Sequence, residues 1–213
     1  MHCVIVANGE IQDHARLRAL WARADLRLAA NGGARNARLF LALAPHSVIG
    51  DLDSLDADTA RWLDTARVEK IQHPRAKDQT DLELALDLAR TRGATEITIL
   101  AALGGRIDQT LANIFLLARA ERVRIVTADA ELWITRDESE INGQIGDTVS
   151  LIPLTARVEG IETQGMEFSL RGETLAQNTA RGISNGLIAP RARVRIERGM
   201  LLIVHFQKSI SNL

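Results

Sequence analysis

The first half of the chain alternates short apolar runs typical of β-strands with segments whose apolar residues recur at helical spacing. Val4–Ala7 and Leu26–Ala30, for example, flank the helical pattern of Asp13–Ala24. Regular alternation of this kind implies right-handed crossovers and a mostly parallel sheet covered on both faces by helices. The other predicted elements of this half are helices at Ala34–Phe40, Asp58–Ala66, Asp81–Arg92 and Asp108–Glu121 and strands at Ser47–Gly50, Val68–Gln72, Glu96–Ala102 and Val123–Thr127.

The pattern changes after Asp129, where the segments become short, alternating and punctuated by glycine. Such a pattern is typical of a small antiparallel β domain. We therefore assign residues 1–130 to an α/β domain and residues 131–213 to a β domain. No long linker separates them, which favours a site that uses both parts. Strands are expected at Leu132–Thr135, Thr148–Pro153, Arg157–Thr163, Met166–Leu170, Arg193–Glu197 and Leu201–Phe206.

Composition excludes several classes of function. The 213 residues carry a formal net charge of -1 and only 3% aromatic residues, which argues against a nucleic-acid partner. No apolar run approaches the roughly 20 residues of a membrane-spanning helix. Cys3 is the only cysteine, so an intrachain disulfide is impossible, and the N-terminus lacks the basic start of a signal peptide. We therefore expect a cytoplasmic protein without a membrane partner.

Two carboxylates, Asp51 and Asp53, directly follow the predicted strand Ser47–Gly50. Ligands of open parallel sheets bind at the carboxyl ends of the strands, and residues two apart in an extended backbone point the same way. Two carboxylates on one side can hold a hard divalent cation such as Mg²⁺. The alternative is an ordinary solvated acidic loop.

A second polar cluster precedes the predicted helix Asp81–Arg92. Thr80 and Glu83 have the spacing of a capping box, which makes Thr80 the expected N-cap. Asp81 then lies in the first turn, where the helix dipole favours an anion, so its presence requires no metal. If this loop faces the Asp51 loop, Asp81 adds a carboxylate and Lys77 adds a positive charge for a phosphate.

The third cluster, Gly104-Gly105-Arg106-Ile107-Asp108, again joins a buried strand to a helix. Paired glycines let backbone N–H groups approach an anion closely, and Arg106 can bind phosphate oxygens with two hydrogen bonds. A tight strand-to-helix turn is the alternative. Three such loops at one edge of a sheet together predict a site for a nucleotide polyphosphate and a metal ion. The five histidines lack ligand spacing, and the chain has no Walker-type loop.

In their order and spacing these loops resemble thiamine pyrophosphokinases over nearly the whole chain. The shared motifs are Asn31-Gly32-Gly33-Ala34, Gly50-Asp51-Leu52-Asp53-Ser54, Lys77-Asp78-Gln79-Thr80-Asp81, Gly104-Gly105-Arg106-Ile107-Asp108 with Asn113, Ser150-Leu151-Ile152-Pro153-Leu154, Arg181-Gly182-Ile183-Ser184-Asn185 and Gly199-Met200-Leu201-Leu202-Ile203-Val204.

The resemblance implies a three-layer α/β catalytic domain that binds ATP and Mg²⁺, and a β-sandwich domain that forms a homodimer with the active site shared across its interface. Pyrophosphate would pass from ATP to the thiamine hydroxyl, and AMP would leave. The implied metal ligands are Asp51, Asp53 and Asp81, and the implied catalytic residues are these three with Arg106 and Asp108. The implied ATP contacts are Asn31, Gly32, Gly33, Lys77, Asp78, Thr80, Gly104, Gly105 and Arg106. The implied thiamine contacts are Gln109, Asn113, Ser184 and Asn185, with Ser184 and Asn185 reaching the ligand from the partner subunit.

Three positions depart from the family pattern. The family usually has Asp at the position of Asn31, His at that of Gln109 and commonly an acidic residue at that of Gly186. Asn31 removes a negative charge but keeps an oxygen, and Gln109 removes an imidazole. Two alternatives therefore stay open: a pyrophosphokinase acting on another hydroxymethyl heterocycle such as a pterin, and a nucleotide- or thiamine-binding module without turnover.

Overall fold

The computed structural model describes residues 1–208 of the chain. Its internal contacts divide the chain into two compact units, the first from Met1 to Ala128 and the second from Asp129 onward. Within residues 1–208 no helix is both long enough and apolar enough to cross a membrane.

The first unit contains a six-stranded sheet in which every pairing is parallel and the strand order is β6-β5-β1-β2-β3-β4. The strands are β1 His2–Val6, β2 Leu26–Ala30, β3 Ser47–Gly50, β4 Glu69–Gln72, β5 Glu96–Leu100 and β6 Val123–Val126. The helices are α1 Ala15–Arg23, α2 Gly33–Asn36, α3 Ala57–Thr65, α4 Asp81–Thr91 and α5 Ile107–Leu116. A π-helical turn, Ala37–Leu41, continues α2, and a 3₁₀ turn, Leu117–Arg119, follows α5.

The central strand β1 is buried almost throughout, as expected for a parallel strand with helices on both faces. Helix α1 packs on the sheet through Leu17 and Trp21, which are four residues apart and therefore share one helix face. The buried Trp21 indole donates a hydrogen bond of 2.7 Å to the carbonyl oxygen of Leu43. Cys3 in β1 is fully buried, and burial raises the pKa of its thiol to about 12.

The second unit consists of two antiparallel sheets with strand orders β12-β9-β14-β7 and β11-β10-β13-β8. Their facing residues form one apolar core that includes Trp133, Val158, Ile161 and Ile203. The strands are β7 Ala130–Thr135, β8 Glu138–Asn142, β9 Thr148–Pro153, β10 Arg157–Gln164, β11 Arg171–Ala176, β12 Asn185–Gly186, β13 Arg191–Arg195 and β14 Leu201–Phe206.

The predicted division into a parallel α/β half and an antiparallel β half is confirmed. The predicted strand Met166–Leu170 is wrong: only Met166 forms an isolated bridge, to Leu187, and the following residues turn away. The backbone N–H and C=O of Phe168 are hydrogen-bonded to the Asn185 side chain and not to a neighbouring strand, so the chain turns here. The strands β8, β11 and β12 were not expected, since their sequences are largely polar.

The second unit contains a buried polar pair, His205 and Asp147. Nε2 of His205 lies 2.8 Å from Oδ2 of Asp147, and both side chains are almost completely buried. The Asp147 carboxylate also accepts backbone hydrogen bonds from Lys208 and Gln144. Burial opposes ionisation of Asp147, but these amides and His205 outweigh it, so the pKa of Asp147 lies below its ordinary value.

We expect Asp147→Asn to reduce the free energy of unfolding at pH 7 by about 2 kcal/mol, because the amide NH2 group cannot accept from a backbone N–H and the remaining hydrogen bonds lose their charge assistance. With its lowered pKa, the Asp147 carboxylate contributes fully above about pH 4, the ordinary Asp pKa, and loses that contribution as the pH falls through the folded value. The difference in the free energy of unfolding between the wild type and the variant should therefore decrease at acidic pH. Urea denaturation at pH 7 and pH 3 measures this difference, with Glu140→Gln, at an exposed position of β8, as the control. An equal difference at both pH values would contradict this account.

Candidate active site

A cavity of about 420 Å³ lies in the first unit at the carboxyl ends of the central strands. In a parallel sheet every strand delivers its following loop to the same edge, so loops far apart in sequence meet there. The cavity is lined by Ala7, Asn8, Gly9, Ala30, Asn31, Ser54, Arg75, Lys77, Gln79, Thr80, Asp81, Leu82, Ala102, Gly104, Gly105, Arg106, Gln109 and Asn113.

The side chain of Asn31 gathers three carboxylates at the edge of this cavity. Its Nδ2 atom lies 2.7 Å from Oδ1 of Asp51, 3.0 Å from Oδ2 of Asp81 and 3.4 Å from Oδ1 of Asp53. The hydroxyl of Ser54 lies 3.5 Å from the same nitrogen. The predicted acidic loops therefore converge on one atom. We call Asn31, Asp51, Asp53 and Asp81 the acidic cluster.

Backbone geometry brings the acidic cluster together. Asn31 follows β2 with a φ of 45°, a left-handed conformation that Asn tolerates better than most residues. Gly50 ends β3 with a φ of 146°, and a Cβ atom there would lie only 2.9 Å from the Asp81 side chain and 3.0 Å from Cβ of Asn31. Glycine at this position lets α4 and β2 deliver their side chains beside Asp51.

Hydrogen bonds and one ion pair offset part of the negative charge of the acidic cluster. Hydrogen bonding with the Asp51 side chain, and then with Asn31 and Ser54, holds the pKa of Asp53 below its ordinary value. Oδ1 of Asp81 is buried and lies 2.9 Å from Nζ of Lys77, an ion-pair contact without hydrogen-bond geometry. Oδ1 of Asn31 is buried and accepts no hydrogen bond from residues 1–208. One buried oxygen in the cluster is thus available to a further partner.

The predicted capping box at α4 is confirmed. Thr80 is the N-cap: its hydroxyl accepts from the Glu83 backbone N–H at 3.2 Å, and the Glu83 carboxylate accepts from the Thr80 N–H at 2.8 Å. Asp81 therefore occupies the first turn of the helix, where the dipole stabilises its charge.

The loop after β5 presents its backbone to the cavity. The N–H of Gly105 donates a 3.0 Å hydrogen bond to Oε1 of Glu10, so a carboxylate occupies the place at which an anion was predicted. The guanidinium of Arg106 makes two hydrogen bonds to the carboxylate of Asp108, and both side chains are mostly exposed. This pairing raises the pKa of Arg106 and lowers that of Asp108.

Close packing fixes the loop after β1, whose residues 7–9 line the cavity. Gly33 at the start of α2 lies so near that strand that a Cβ atom would be 2.1 Å from the Val6 carbonyl oxygen. The buried Asn36 amide donates hydrogen bonds of 3.0 Å to the carbonyls of Ala7 and Gly9. The Gly32-Gly33 motif therefore has a packing role that its sequence pattern did not reveal.

The predicted thiamine contacts are found in both units. Gln109 and Asn113 line the cavity of the first unit. The buried Asn113 amide donates a hydrogen bond of 2.7 Å to the Ala102 carbonyl. Ser184 and Asn185 lie in the second unit, where both amide atoms of Asn185 bond the backbone of Phe168. Gly32, Gly33 and Asp78, predicted to contact ATP, are not among the cavity-lining residues.

Several lining residues escaped the sequence analysis, among them Asn8, Gly9, Arg75 and Gln79. Asn8 and Gly9 follow β1 as Asn31 and Gly32 follow β2, so the same rule of polar and small residues after a strand would have found them. Arg75 lies 3.9 Å from Asp53, and nothing in the local sequence predicted that contact.

Around one cavity the arrangement combines the cations Arg75, Lys77 and Arg106 and the backbone N–H of Gly105 with the oxygen-rich acidic cluster. Within residues 1–208, no three His, Cys, Asp or Glu side chains are grouped closely enough to form a ready-made metal site. The carboxylates are instead arranged around the Asn31 amide. Such a site suits a ligand that carries both negative charge and a hard cation.

Two domain families match the chain. The thiamin pyrophosphokinase catalytic domain matches residues 17–127, and the thiamin pyrophosphokinase vitamin B1 binding domain matches residues 134–201. Thiamine pyrophosphokinase from Bacillus subtilis (strain 168) is 27% identical over 174 residues, covering 76% of this chain and 78% of the relative. Thiamine pyrophosphokinase 1 from Oryza sativa subsp. japonica is 27% identical over 222 residues, covering 92% and 83%.

The fold agrees with these matches. The crystal structure of thiamine pyrophosphokinase from Bacillus subtilis superposes with a TM-score of 0.85 at 26% identity, covering 98% of this chain and 100% of that one. The yeast thiamin pyrophosphokinase structure has the same fold, with a TM-score of 0.82 at 19% identity. The catalytic-domain match alone spans more than half of the residues of this chain. The chain therefore belongs to the thiamin pyrophosphokinase family.

Proposed function

We propose that this chain transfers the pyrophosphoryl group of ATP to the hydroxyl of thiamine, producing thiamine diphosphate and AMP. The observation that carries the proposal is the acidic cluster beside the cavity, inside the region that matches the catalytic domain. A polyphosphate substrate needs cations and N–H donors, and its metal needs oxygen ligands, and this cavity offers both.

The polyphosphate would lie against the loop after β5 and the side chain of Lys77. The Gly105 N–H already donates a hydrogen bond to the carboxylate of Glu10, so it is oriented to donate to a phosphate oxygen in exchange. The Nε and Nη2 atoms of Arg106 donate hydrogen bonds to the two carboxylate oxygens of Asp108, a geometry that also fits two phosphate oxygens. Lys77 lies within reach of both the cavity and Asp81.

Mg²⁺ is the metal that the acidic cluster fits. Carboxylate and amide oxygens are the ligands this ion prefers, and Oδ1 of Asn31 is buried without a partner among the described residues. We assign Asp51, Asp53 and Asp81 as its protein ligands, with Asn31 contributing through its oxygen after rotation of the amide. When bound, the ion would offset negative charge on the phosphates.

In the reaction the thiamine hydroxyl oxygen attacks the β-phosphorus, and the bond from that phosphorus to the α,β-bridging oxygen breaks. AMP leaves with the bridging oxygen, and the hydroxyl proton passes to solvent. Lys77, Arg106 and the Gly105 N–H hold the phosphates in line for attack, so catalysis is mainly positioning and charge neutralisation.

We further propose a cytoplasmic homodimer in which thiamine binds between subunits. Gln109 and Asn113 would approach it from one subunit, and Ser184 and Asn185 from the partner subunit. The β unit supports this reading through its exposed apolar residues, such as Ile183 and Ile188, which flank Ser184 and Asn185.

The direct test is AMP release from ATP and Mg²⁺, with thiamine present or omitted. We expect release that requires thiamine. Asp51→Asn should lower kcat/KM by at least about 100-fold, because loss of a metal-contacting carboxylate weakens charge neutralisation in the transition state.

Asp64→Asn serves as the control, since Asp64 lies on the exposed side of α3 and pairs with Lys70. Its activity should match that of the wild type. AMP release without thiamine, or none at all, would contradict the proposed substrate, and full activity of Asp51→Asn would contradict the assigned metal ligands.

Asn31→Asp tests how the amide tunes the metal site. Asp also tolerates the left-handed backbone, so this change alters charge and leaves the turn intact. The three neighbouring carboxylates lose a donor and gain a like charge. We therefore expect the half-saturating Mg²⁺ concentration for activity to fall, and the thermal stability of the variant to rise with Mg²⁺ more steeply than that of the wild type.

Both quantities are measured across one Mg²⁺ titration, by AMP release and by thermal unfolding without substrate. A Mg²⁺ dependence identical to the wild type in both assays would mean that Asn31 only shapes the turn after β2.

The shared-site proposal predicts activity that depends on dimerisation. Light scattering at micromolar concentration should give twice the mass of one chain, which is 23.4 kDa. Dilution below the dimer dissociation constant should reduce the specific activity, because each site needs residues from both subunits. A monomer with full specific activity would refute the shared site.

A further inference from the structure

A carboxylate of the protein itself occupies the backbone N–H that Gly105 presents to the cavity. Glu10 belongs to the loop after β1, and its Oε1 atom accepts the 3.0 Å hydrogen bond from Gly105 in the loop after β5. Gly105 lines the cavity, whereas Glu10 is not among the lining residues. The Glu10 side chain therefore extends from a neighbouring loop to a donor that faces the proposed polyphosphate site.

Gly104 gives the Glu10 side chain room to lie along this loop. Gly104 has a φ of 84°, and a Cβ atom there would be 2.6 Å from Cδ of Glu10 and 2.7 Å from its Cβ and Cγ atoms. A side chain at position 104 would overlap the first carbons of Glu10 and push its carboxylate away from Gly105. The contact between Glu10 and Gly105 thus depends on glycine at the preceding position.

Backbone hydrogen bonds fix the main chain of Glu10 but not its carboxylate. The N–H of Gly9 donates to the Ala101 carbonyl at 2.7 Å, and the N–H of Glu10 donates to the Leu103 carbonyl at 2.8 Å. These bonds continue the parallel pairing of β1 with β5 beyond the ends of both strands. Because the Glu10 side chain is exposed, a rotamer change can carry its carboxylate off the loop while the backbone bonds stay intact.

The hydrogen bond between Glu10 and Gly105 is one that a phosphate can displace. Among residues 1–208, no cationic side chain forms an ion pair with the Glu10 carboxylate. A single exposed hydrogen bond to a neutral N–H contributes little net stability, because water replaces it. A phosphate oxygen accepts from the same N–H, and a di- or triphosphate can contact Lys77 and Arg106 of the same cavity as well.

The negative charge of Glu10 opposes this exchange. A phosphate at the Gly105 N–H would lie close to the carboxylate that it replaces, and two negative charges at short separation repel each other. After rotation, the carboxylate remains within one side-chain length of the loop. Removal of this charge should therefore tighten phosphate binding, whereas removal of an ordinary ligand contact would weaken it.

We propose that Glu10 competes with the polyphosphate for the Gly105 N–H. Its carboxylate occupies this donor in the empty site, leaves when a di- or triphosphate binds, and lowers the affinity for such ligands. The inference rests on the proposed function, because it takes the loop after β5 as the place of the polyphosphate. Both ATP and a diphosphate product must displace the same carboxylate, and its return to Gly105 favours product release.

The test compares Glu10→Gln, which removes the charge but keeps an oxygen acceptor, with Glu10→Ala, which removes both. Calorimetric titrations with inorganic pyrophosphate and with ATP, each with Mg²⁺, are run on the full chain without thiamine. Both dissociation constants should fall about threefold in Glu10→Gln and about tenfold in Glu10→Ala. Damage to the fold would not produce such a gain in affinity.

Asp13→Asn is the matched control, because Asp13 is an exposed carboxylate of the same loop that pairs with Arg18. This variant loses the same charge as Glu10→Gln but no contact with Gly105. Its dissociation constants should stay within about twofold of those of the wild type, because solvent and salt screen exposed charges that are not in contact. An equal gain in Asp13→Asn would show that only net charge matters and would overturn the proposal.

The amide resonance of Gly105 in a nuclear magnetic resonance spectrum reports the exchange directly. Glu10→Ala should shift this resonance in the protein without ligand, since the N–H loses its acceptor. Pyrophosphate should shift it in the wild type. Pyrophosphate binding that leaves the Gly105 resonance unmoved would overturn the proposal.

The outcomes separate this inference from the proposed function. Equal or weaker pyrophosphate binding by Glu10→Gln and Glu10→Ala would overturn the inference even if the wild type converts thiamine. Tighter binding by these variants, together with a wild type that releases no AMP with thiamine, would support the inference and refute the proposed function. A wild type that binds neither pyrophosphate nor ATP refutes both.

Discussion

The hydrogen bonds from the Asn31 amide to the carboxylates of Asp51, Asp53 and Asp81 are the interaction on which the candidate site depends. Three carboxylates drawn to one point repel one another unless a donor or a cation lies between them. Here a neutral amide nitrogen takes that place, and the Lys77 ammonium contacts the cluster from one side. These side chains thereby link the loops after β2 and β3 to the start of α4, beside the backbone hydrogen bond from the Asn31 N–H to the Ile49 carbonyl.

The scaffold makes this gathering possible through close backbone approach. Gly50 leaves space for the side chains of Asp81 and Asn31, and Gly33 lets α2 rest on the end of β1. Asn36 then fixes the loop after β1 by hydrogen bonds to two of its carbonyls. A side chain at Gly33 would collide with the Val6 carbonyl at the end of β1, and one at Gly50 would collide with the Asp81 side chain. The site is therefore as much a product of small residues as of charged ones.

Most of the fold of the first unit was accessible from the sequence. Strands β2 and β3 were predicted residue for residue, because buried parallel strands are short apolar runs bounded by turns. The capping box at Thr80 was predicted because it depends only on local spacing. The second unit was harder: β8, β11 and β12 are polar segments whose pairing depends on neighbours distant in sequence, and Phe168 turns because of Asn185, 17 residues later.

The same division holds for the candidate site. The three loops that bring Ser54, Asp81 and Gly105 to the cavity, and Asp51 to its edge beside Asn31, could be identified from strand ends alone. The contacts of Glu10 with Gly105 and of Arg75 with Asp53 could not, because exposed charged side chains carry no local signal of their partners. The roles of Asn113 and Asn185 also required the structure, since an amide that binds backbone carbonyls has the same sequence pattern as one that binds a ligand.

The burial of Cys3 has a practical consequence for spectroscopy. Thiol-directed reagents attack the thiolate, and a fully buried thiol with a pKa of about 12 presents almost none at neutral pH. The chain has no other cysteine, so the natural protein offers no reactive thiol to a fluorophore or a spin label in its folded state. A cysteine introduced at an exposed position, such as Ile107 on α5, can thus be labelled selectively while β1 keeps its natural sequence.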